Sequence, residues 1–120
     1  MKVAIVGSRG LNYEIPEKLI PKDATLIVSG GCRGVDIKAR EYAYAHNIQI
    51  HEILPDYQSF GRSAPIRRNC DIIAEADTVI AFWDGKSNGT SFVIDRCKKM
   101  NKPCYVYSEE DIKRALLEQE

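Results

Sequence analysis

No apolar run in this chain approaches the 18 or so residues that a membrane-crossing helix needs. The opening Met1-Lys2-Val3-Ala4-Ile5-Val6 is likewise too short an apolar stretch for a signal peptide. Charge of one sign is also missing: 17 lysines and arginines balance 17 aspartates and glutamates, which argues against a broad basic face for duplex nucleic acid. The four cysteines, at 32, 70, 97 and 104, form no Cys-x-x-Cys pair and no zinc-type spacing with the only two histidines, His46 and His51. Reduced thiols, no metal and no cofactor are the expectation, in a soluble protein of the cytoplasm. Low complexity, internal repeats and linkers are absent as well, so residues 1–120 read as a single domain.

What the chain does contain is a recurring β-rich segment. Val3–Val6, Thr25–Val28, Ile48–His51, Thr78–Trp83 and Cys104–Tyr107 read as five strands, mostly apolar without alternation, as strands covered on both faces are. Between them, Val35–Ala45 carries apolar residues at helical spacing. Pro65–Ala76 offers Ile66, Ile72, Ile73 and Ala76 as a buried stripe, and Thr90–Met100 offers Phe92, Val93, Cys97 and Met100. Ser108 followed by Asp111 resembles a capping box ahead of Ile112, Ala115 and Leu116. A weaker helix is expected near Glu14–Ile20, where Pro16 suits a first turn. Strand–helix alternation predicts an α/β, doubly wound, Rossmann-like domain with a five-stranded parallel sheet in the order 3-2-1-4-5.

Seven of the eight glycines fall in three segments, each directly after a predicted strand: Gly7 and Gly10; Gly30, Gly31 and Gly34; Gly85 and Gly89. In an open parallel sheet these turns gather at one edge, where glycine lets backbone approach a ligand and helix N-termini present free N–H groups to an anion. Strand-to-helix turns use glycine for their own geometry too. Three converging loops favour the ligand reading. The candidate ligand-binding residues are Gly7, Ser8 and Arg9; Gly30, Gly31, Arg33, Gly34 and Asp36; and Asp84, Gly85, Ser87, Asn88, Gly89, Thr90 and Ser91. Neither a dinucleotide fingerprint nor a Walker loop is present. The acid-free stretch Tyr57–Cys70 adds Arg62, Arg67 and Arg68, with Arg68 expected as a phosphate clamp and Asn69 either as a ligand to a ribose hydroxyl or as a brace for the helix start. Asp36 is open to a capping role or to a ribose. Trp83, Tyr57, Phe60 and Tyr13 are rival stacking candidates, with core or rim packing the commoner fate of a tryptophan ending a buried strand.

Taken together, Gly7-Ser8-Arg9, Ser29-Gly30-Gly31-Cys32-Arg33-Gly34-Val35-Asp36, Pro65-Ile66-Arg67-Arg68-Asn69 and Ala76-Asp77 through Gly85, then Gly89-Thr90, resemble the SLOG superfamily of Rossmann-like proteins. The similarity spans residues 3–107 and is greatest to the YspA/YpsA-related branch, also described as the DUF2493 family. It implies a nucleotide or nucleotide-derived ligand, related to NAD or ADP-ribose, held as sensor or sequestering module. The LOG-like relatives imply an alternative, a nucleoside 5′-monophosphate N-glycosidase. Arg68 lies nine residues before Asp77, as in that family, but Val93 stands where its glutamate belongs. Under that alternative Arg68 and Asp84 are the catalytic candidates, with Asp84, ending strand 4 at the expected crevice, preferred to Asp95 and Asp36 as the replacement for that glutamate. A DprA-like reading, single-stranded DNA binding, ranks third because the extra domains and positive charge are missing. Relatives often assemble, which makes a homo-oligomer using Tyr42 or Tyr44 a further expectation.

Overall fold

The computed structural model describes residues 1–119. Its strands are β1 (Lys2–Gly7), β2 (Leu26–Ser29), β3 (Gln49–Glu52), β4 (Thr78–Phe82) and β5 (Cys104–Tyr107). All neighbouring strands pair in parallel, in the order β3-β2-β1-β4-β5. The expected α/β, Rossmann-like architecture and its strand order are therefore present. The helices are α1 (Val35–Ala45), the single turn α2 (Tyr57–Phe60), α3 (Ala64–Glu75), α4 (Asn88–Lys99) and α5 (Glu109–Glu118).

Period-two alternation along the central strands sorts the core into two layers. Val3, Ile5, Ile27, Ile80 and Phe82 face Val35, Ala39, Tyr42 and Ala43 of α1 and Ile112 of α5. Ala4, Val6, Val28, Val79 and Ala81 face Ile72 and Ile73 of α3 and Val93, Ile94 and Cys97 of α4. Both faces of β1 and β4 are thus dry, which is why those strands read as continuous apolar runs. The outer strands behave differently. In β3, Gln49 and His51 are exposed, and in β5 so are Tyr105 and Val106, because an edge strand has a neighbour on one side only.

Several local expectations are corrected. Ile66 is 50% exposed rather than part of a buried stripe: it lies on the same side of α3 as Ile73, seven residues earlier, but in the first turn, away from the buried contacts of Ile72 and Ile73. Met100 is also exposed, at the C-terminal cap of α4, and the buried face of that helix is formed by Thr90, Val93, Ile94 and Cys97. The segment Glu14–Ile20 forms no α-helix; Pro16 and Pro21 confine it to one 3-10 turn at Glu17–Leu19. Tyr42 is only 8% exposed, stacked on His46 at 4.0 Å between ring centroids, so of the two tyrosines only Tyr44 lies on the surface. The C-terminal helix begins as anticipated, with a complete capping box: Asp111 N–H donates to Ser108 Oγ at 3.2 Å and Ser108 N–H to Asp111 Oδ2 at 2.9 Å.

Candidate functional site

The order reversal occurs at β1, whose two neighbours lead into different layers, so the loops after β1 and β4 flank a crevice at the carboxyl edge. These two loops are fastened together. Ser8 N–H donates to the Phe82 carbonyl at 3.0 Å, Asp84 N–H donates to Ser8 Oγ at 3.1 Å, and Ser8 Oγ lies 2.7 Å from Ser87 Oγ. Buried Ser8 is therefore a connector, with its hydroxyl already committed.

That commitment has a consequence for α4. Ser87 is its N-cap residue, yet its hydroxyl is turned toward Ser8 and makes no side-chain cap. The first-turn amides of Gly89 and Thr90 consequently have no hydrogen-bond partner among the described residues. They open on a cleft of about 330 Å³ whose polar lining is Ser8, Arg9, Arg33, Asp36, Arg68, Asn69, Asp84, Ser87 and Thr90, with Gly7, Gly10, Gly30, Cys32 and Gly89 supplying backbone. Val6, Pro65, Ile72 and Val93 form its apolar floor. Val93, where the LOG-like glutamate would stand, thus borders the cleft as hydrocarbon. Asp95 is exposed on α4 and does not line it.

Not every glycine is there for a ligand. A Cβ on Gly7 would fall 2.5 Å from Val35 Cγ2, and one on Gly34, at φ +70°, 2.5 Å from the Arg9 carbonyl oxygen. Those two positions let α1 pack on β1 and let the second loop lie against the first. Gly10 and Gly89 differ: neither has positive φ, and nothing lies within 4 Å of the space a Cβ would fill.

The arginines divide sharply. Arg9 and Arg33 are exposed at the cleft and make no hydrogen bond or ion pair among the described residues. Arg68 is half-buried and occupied: Nη1 donates to the Gly30 carbonyl at 2.8 Å and the Ile53 carbonyl at 3.3 Å, and Nε donates to Asn69 Oδ1 at 2.9 Å. It braces the ends of β2 and β3, and Asn69 orients it. Arg67 points elsewhere, 4.5 Å over the Phe60 ring with Nε bonded to Ser63 Oγ, and Arg62 is exposed on the preceding turn. Gly31, Gly34, Gly85, Asn88 and Ser91 also stand outside the lining, as do Tyr13, Tyr57 and Phe60. Trp83 is half-buried and donates Nε1–H to the Ser87 carbonyl at 3.0 Å, which fixes it to the rim.

The two carboxylates in the cleft are held in opposite ways. Asp84 Oδ1 accepts from the N–H groups of Lys86 and Ser87, both at 2.8 Å, and these bonds pull its carboxyl below the usual carboxylate range. It is an ion at neutral pH. Asp36 is 92% buried by its 8% exposure, and burial pushes its carboxyl up, against the opposing effects of the Cys32 N–H and of Arg68. Asp36 does not cap α1, whose N-cap is Gly34; its Oδ2 accepts the Cys32 N–H at 3.1 Å and ties down the second loop.

A neighbouring groove of about 590 Å³ shares Gly10 and Asp84 with the cleft and is lined by Leu11, Trp83, Lys86, Val106 and the acidic start of α5. Its carboxylates, Glu109, Glu110 and Asp111, disfavour a second anion there. Sequence reasoning passed over Gly10 and Cys32 as individual site residues; each sits inside a glycine-bearing loop that it did single out. Among the described residues no helix is long and apolar enough to cross a membrane. The chain matches no protein-family model, no curated protein and no solved structure.

Proposed function

We propose that the cleft binds the phosphate of a nucleotide or nucleotide-derived ligand at the N-terminus of α4, in a sensing or sequestering role. The observation that carries this reading is Gly89. Glycine in a helix is disfavoured by up to about 1 kcal/mol relative to alanine, and here neither backbone conformation nor packing demands it. Its place is accounted for by a group that must approach the α4 amides closely. Free Arg9 and Arg33 supply the positive charge, while Arg68 is engaged with carbonyls and acts mainly as a brace.

A specific observation favours a second reading, N-glycosidic bond hydrolysis. Asp84, kept ionised by two backbone amides, suits electrostatic stabilisation of an oxocarbenium-like transition state; it does not suit proton donation. The test is a thermal-shift panel of nucleoside monophosphates, ADP-ribose, NAD and cyclic dinucleotides, with inorganic phosphate as control and Gly89→Val beside the wild type. Ligand at 100 times its dissociation constant stabilises by about 2.7 kcal/mol, a shift of several degrees. Selective stabilisation by one nucleotide, lost in Gly89→Val, is expected. A flat panel overturns the binding reading, and a bound nucleotide that releases no free base removes the hydrolytic one.

A further inference from the structure

Asp36 is the most deeply buried charged side chain in the cleft, and only half of its carboxylate is satisfied. Oδ2 accepts the Cys32 N–H, whereas Oδ1 accepts no hydrogen bond of normal geometry among the described residues. Across Gly30 stands Arg68. A Cβ at Gly30 would lie 2.9 Å from Asp36 Oδ2 and 2.7 Å from Arg68 Nη1, so glycine is what lets the two side chains close on the same strip of backbone. Arg68 uses Nε and Nη1 for Asn69, Gly30 and Ile53, and its Nη2 makes no bond among the described residues. Both residues line the cleft. Beside them Ser29 Oγ is completely buried with no hydrogen-bond partner among the described residues, yet near enough to the Asp36 carboxyl to favour its charged form.

An open acceptor and an open donor on the two side chains that flank Gly30 select among ligand groups. A phosphate oxygen only accepts, and at Asp36 it meets a carboxylate. An exocyclic amine only donates, and it leaves the guanidinium unmatched. A hydroxyl does both at once. We propose that Asp36 and Arg68 form a recognition site for a sugar hydroxyl, so that the cleft takes a nucleotide with an intact ribose and discriminates against its deoxy counterpart. This rests on the reading of the α4 N-terminus as the phosphate site and separates the two subsites. Phosphate sits at Gly89 and Thr90, beyond the Asp84 carboxylate whose Oδ1 is taken up by the Lys86 and Ser87 N–H groups, and the ribose reaches the β2 end of the cleft. A cleft of about 330 Å³ is at the small end of ligand pockets, suited to one nucleotide unit. Discrimination arises because a deoxy ligand leaves a buried carboxylate oxygen and an arginine N–H facing hydrocarbon, a penalty that falls only on the wrong ligand.

Isothermal titration of the full chain with AMP, GMP, CMP and UMP, and with the 2′-deoxy and 3′-deoxy forms of whichever binds, tests this directly. Inorganic phosphate and the Asp36→Asn protein complete the set. Asparagine keeps an acceptor for the Cys32 N–H, and the deoxy comparison on the wild type stands even where the variant folds poorly. The expected result is binding about tenfold weaker, or more, for at least one deoxy form, as for loss of a hydrogen bond to a charged group. In Asp36→Asn the gap between ribose and deoxyribose ligands narrows while inorganic phosphate binds as before. Equal affinity for all three sugars overturns the hydroxyl site and leaves the phosphate reading standing. Absence of any nucleotide binding, or a full gap retained in a folded Asp36→Asn protein, overturns it as well, the former together with the phosphate reading.

Discussion

Arg68 Nη1 donates a 2.8 Å hydrogen bond to the carbonyl of Gly30, a residue 38 positions earlier in the chain, and thereby joins α3 to the end of β2. The bond forms because Gly30 has no side chain: its Cβ would sit 2.7 Å from that same nitrogen. Gly30→Ala is expected to push the guanidinium off its carbonyls and to destabilise the protein by about 1–3 kcal/mol, the usual range for overpacking. Urea denaturation measures it, and an unchanged midpoint would show that Arg68 adapts freely.

Glycines that look alike in the sequence should separate under substitution. Gly34→Ala places a Cβ 2.5 Å from the Arg9 carbonyl at a φ of +70°, so both strain and collision act, and a loss of more than about 2 kcal/mol is expected. Gly89→Ala meets nothing and relieves a helix-disfavouring residue, so stability should rise by up to about 1 kcal/mol. Thermal melts of the two variants should therefore move in opposite directions.

The buried Asp36 carboxyl implies a defined pH response. Its folded-state pKa lies above the ordinary value of 3.8, chiefly through burial, with the Cys32 N–H, Arg68 and Ser29 opposing and Glu52 reinforcing. Its contribution to stability is therefore full below 3.8 and is lost as pH rises through the folded-state value. Asp36→Asn removes the titration and should be at least as stable as the wild type at neutral pH, with the advantage shrinking on acidification. A variant less stable at neutral pH than in acid, relative to wild type, would mean that the Cys32 N–H and the nearby charge of Arg68 outweigh burial.

Thiol chemistry should follow burial. Burial, then the neighbouring Cys97, pushes the Cys104 thiol up to about 12, so at neutral pH almost none is thiolate. Cys32 lines the cleft and is half-exposed. Iodoacetamide followed by peptide mass mapping should label Cys32 at least about tenfold faster than Cys104 in the folded protein. Comparable rates would refute this ordering.

The order of strands, the two helical layers and the Ser108 cap were all legible in the sequence, because each depends on local periodicity and on the handedness of crossovers. Less legible were the helix ends, where Ile66 and Met100 look like stripe residues but lie in the terminal turns, away from the buried contacts. Most of the residues lining the cleft could be drawn from the glycine-rich loops, since these must converge at one sheet edge. Their roles could not. In sequence, Arg9, Arg33, Arg67 and Arg68 are equivalent cations; in space two face the cleft unpaired, one lies on Phe60 and one braces carbonyls. Gly7, Gly34 and Gly89 are likewise one residue type with three different reasons. Local sequence determined which elements form and where their loops meet, because propensity and periodicity act over a few neighbours. Tertiary structure decided which side chains remain free to bind, because a donor is used up by whichever acceptor the packed chain brings within about 3 Å of it.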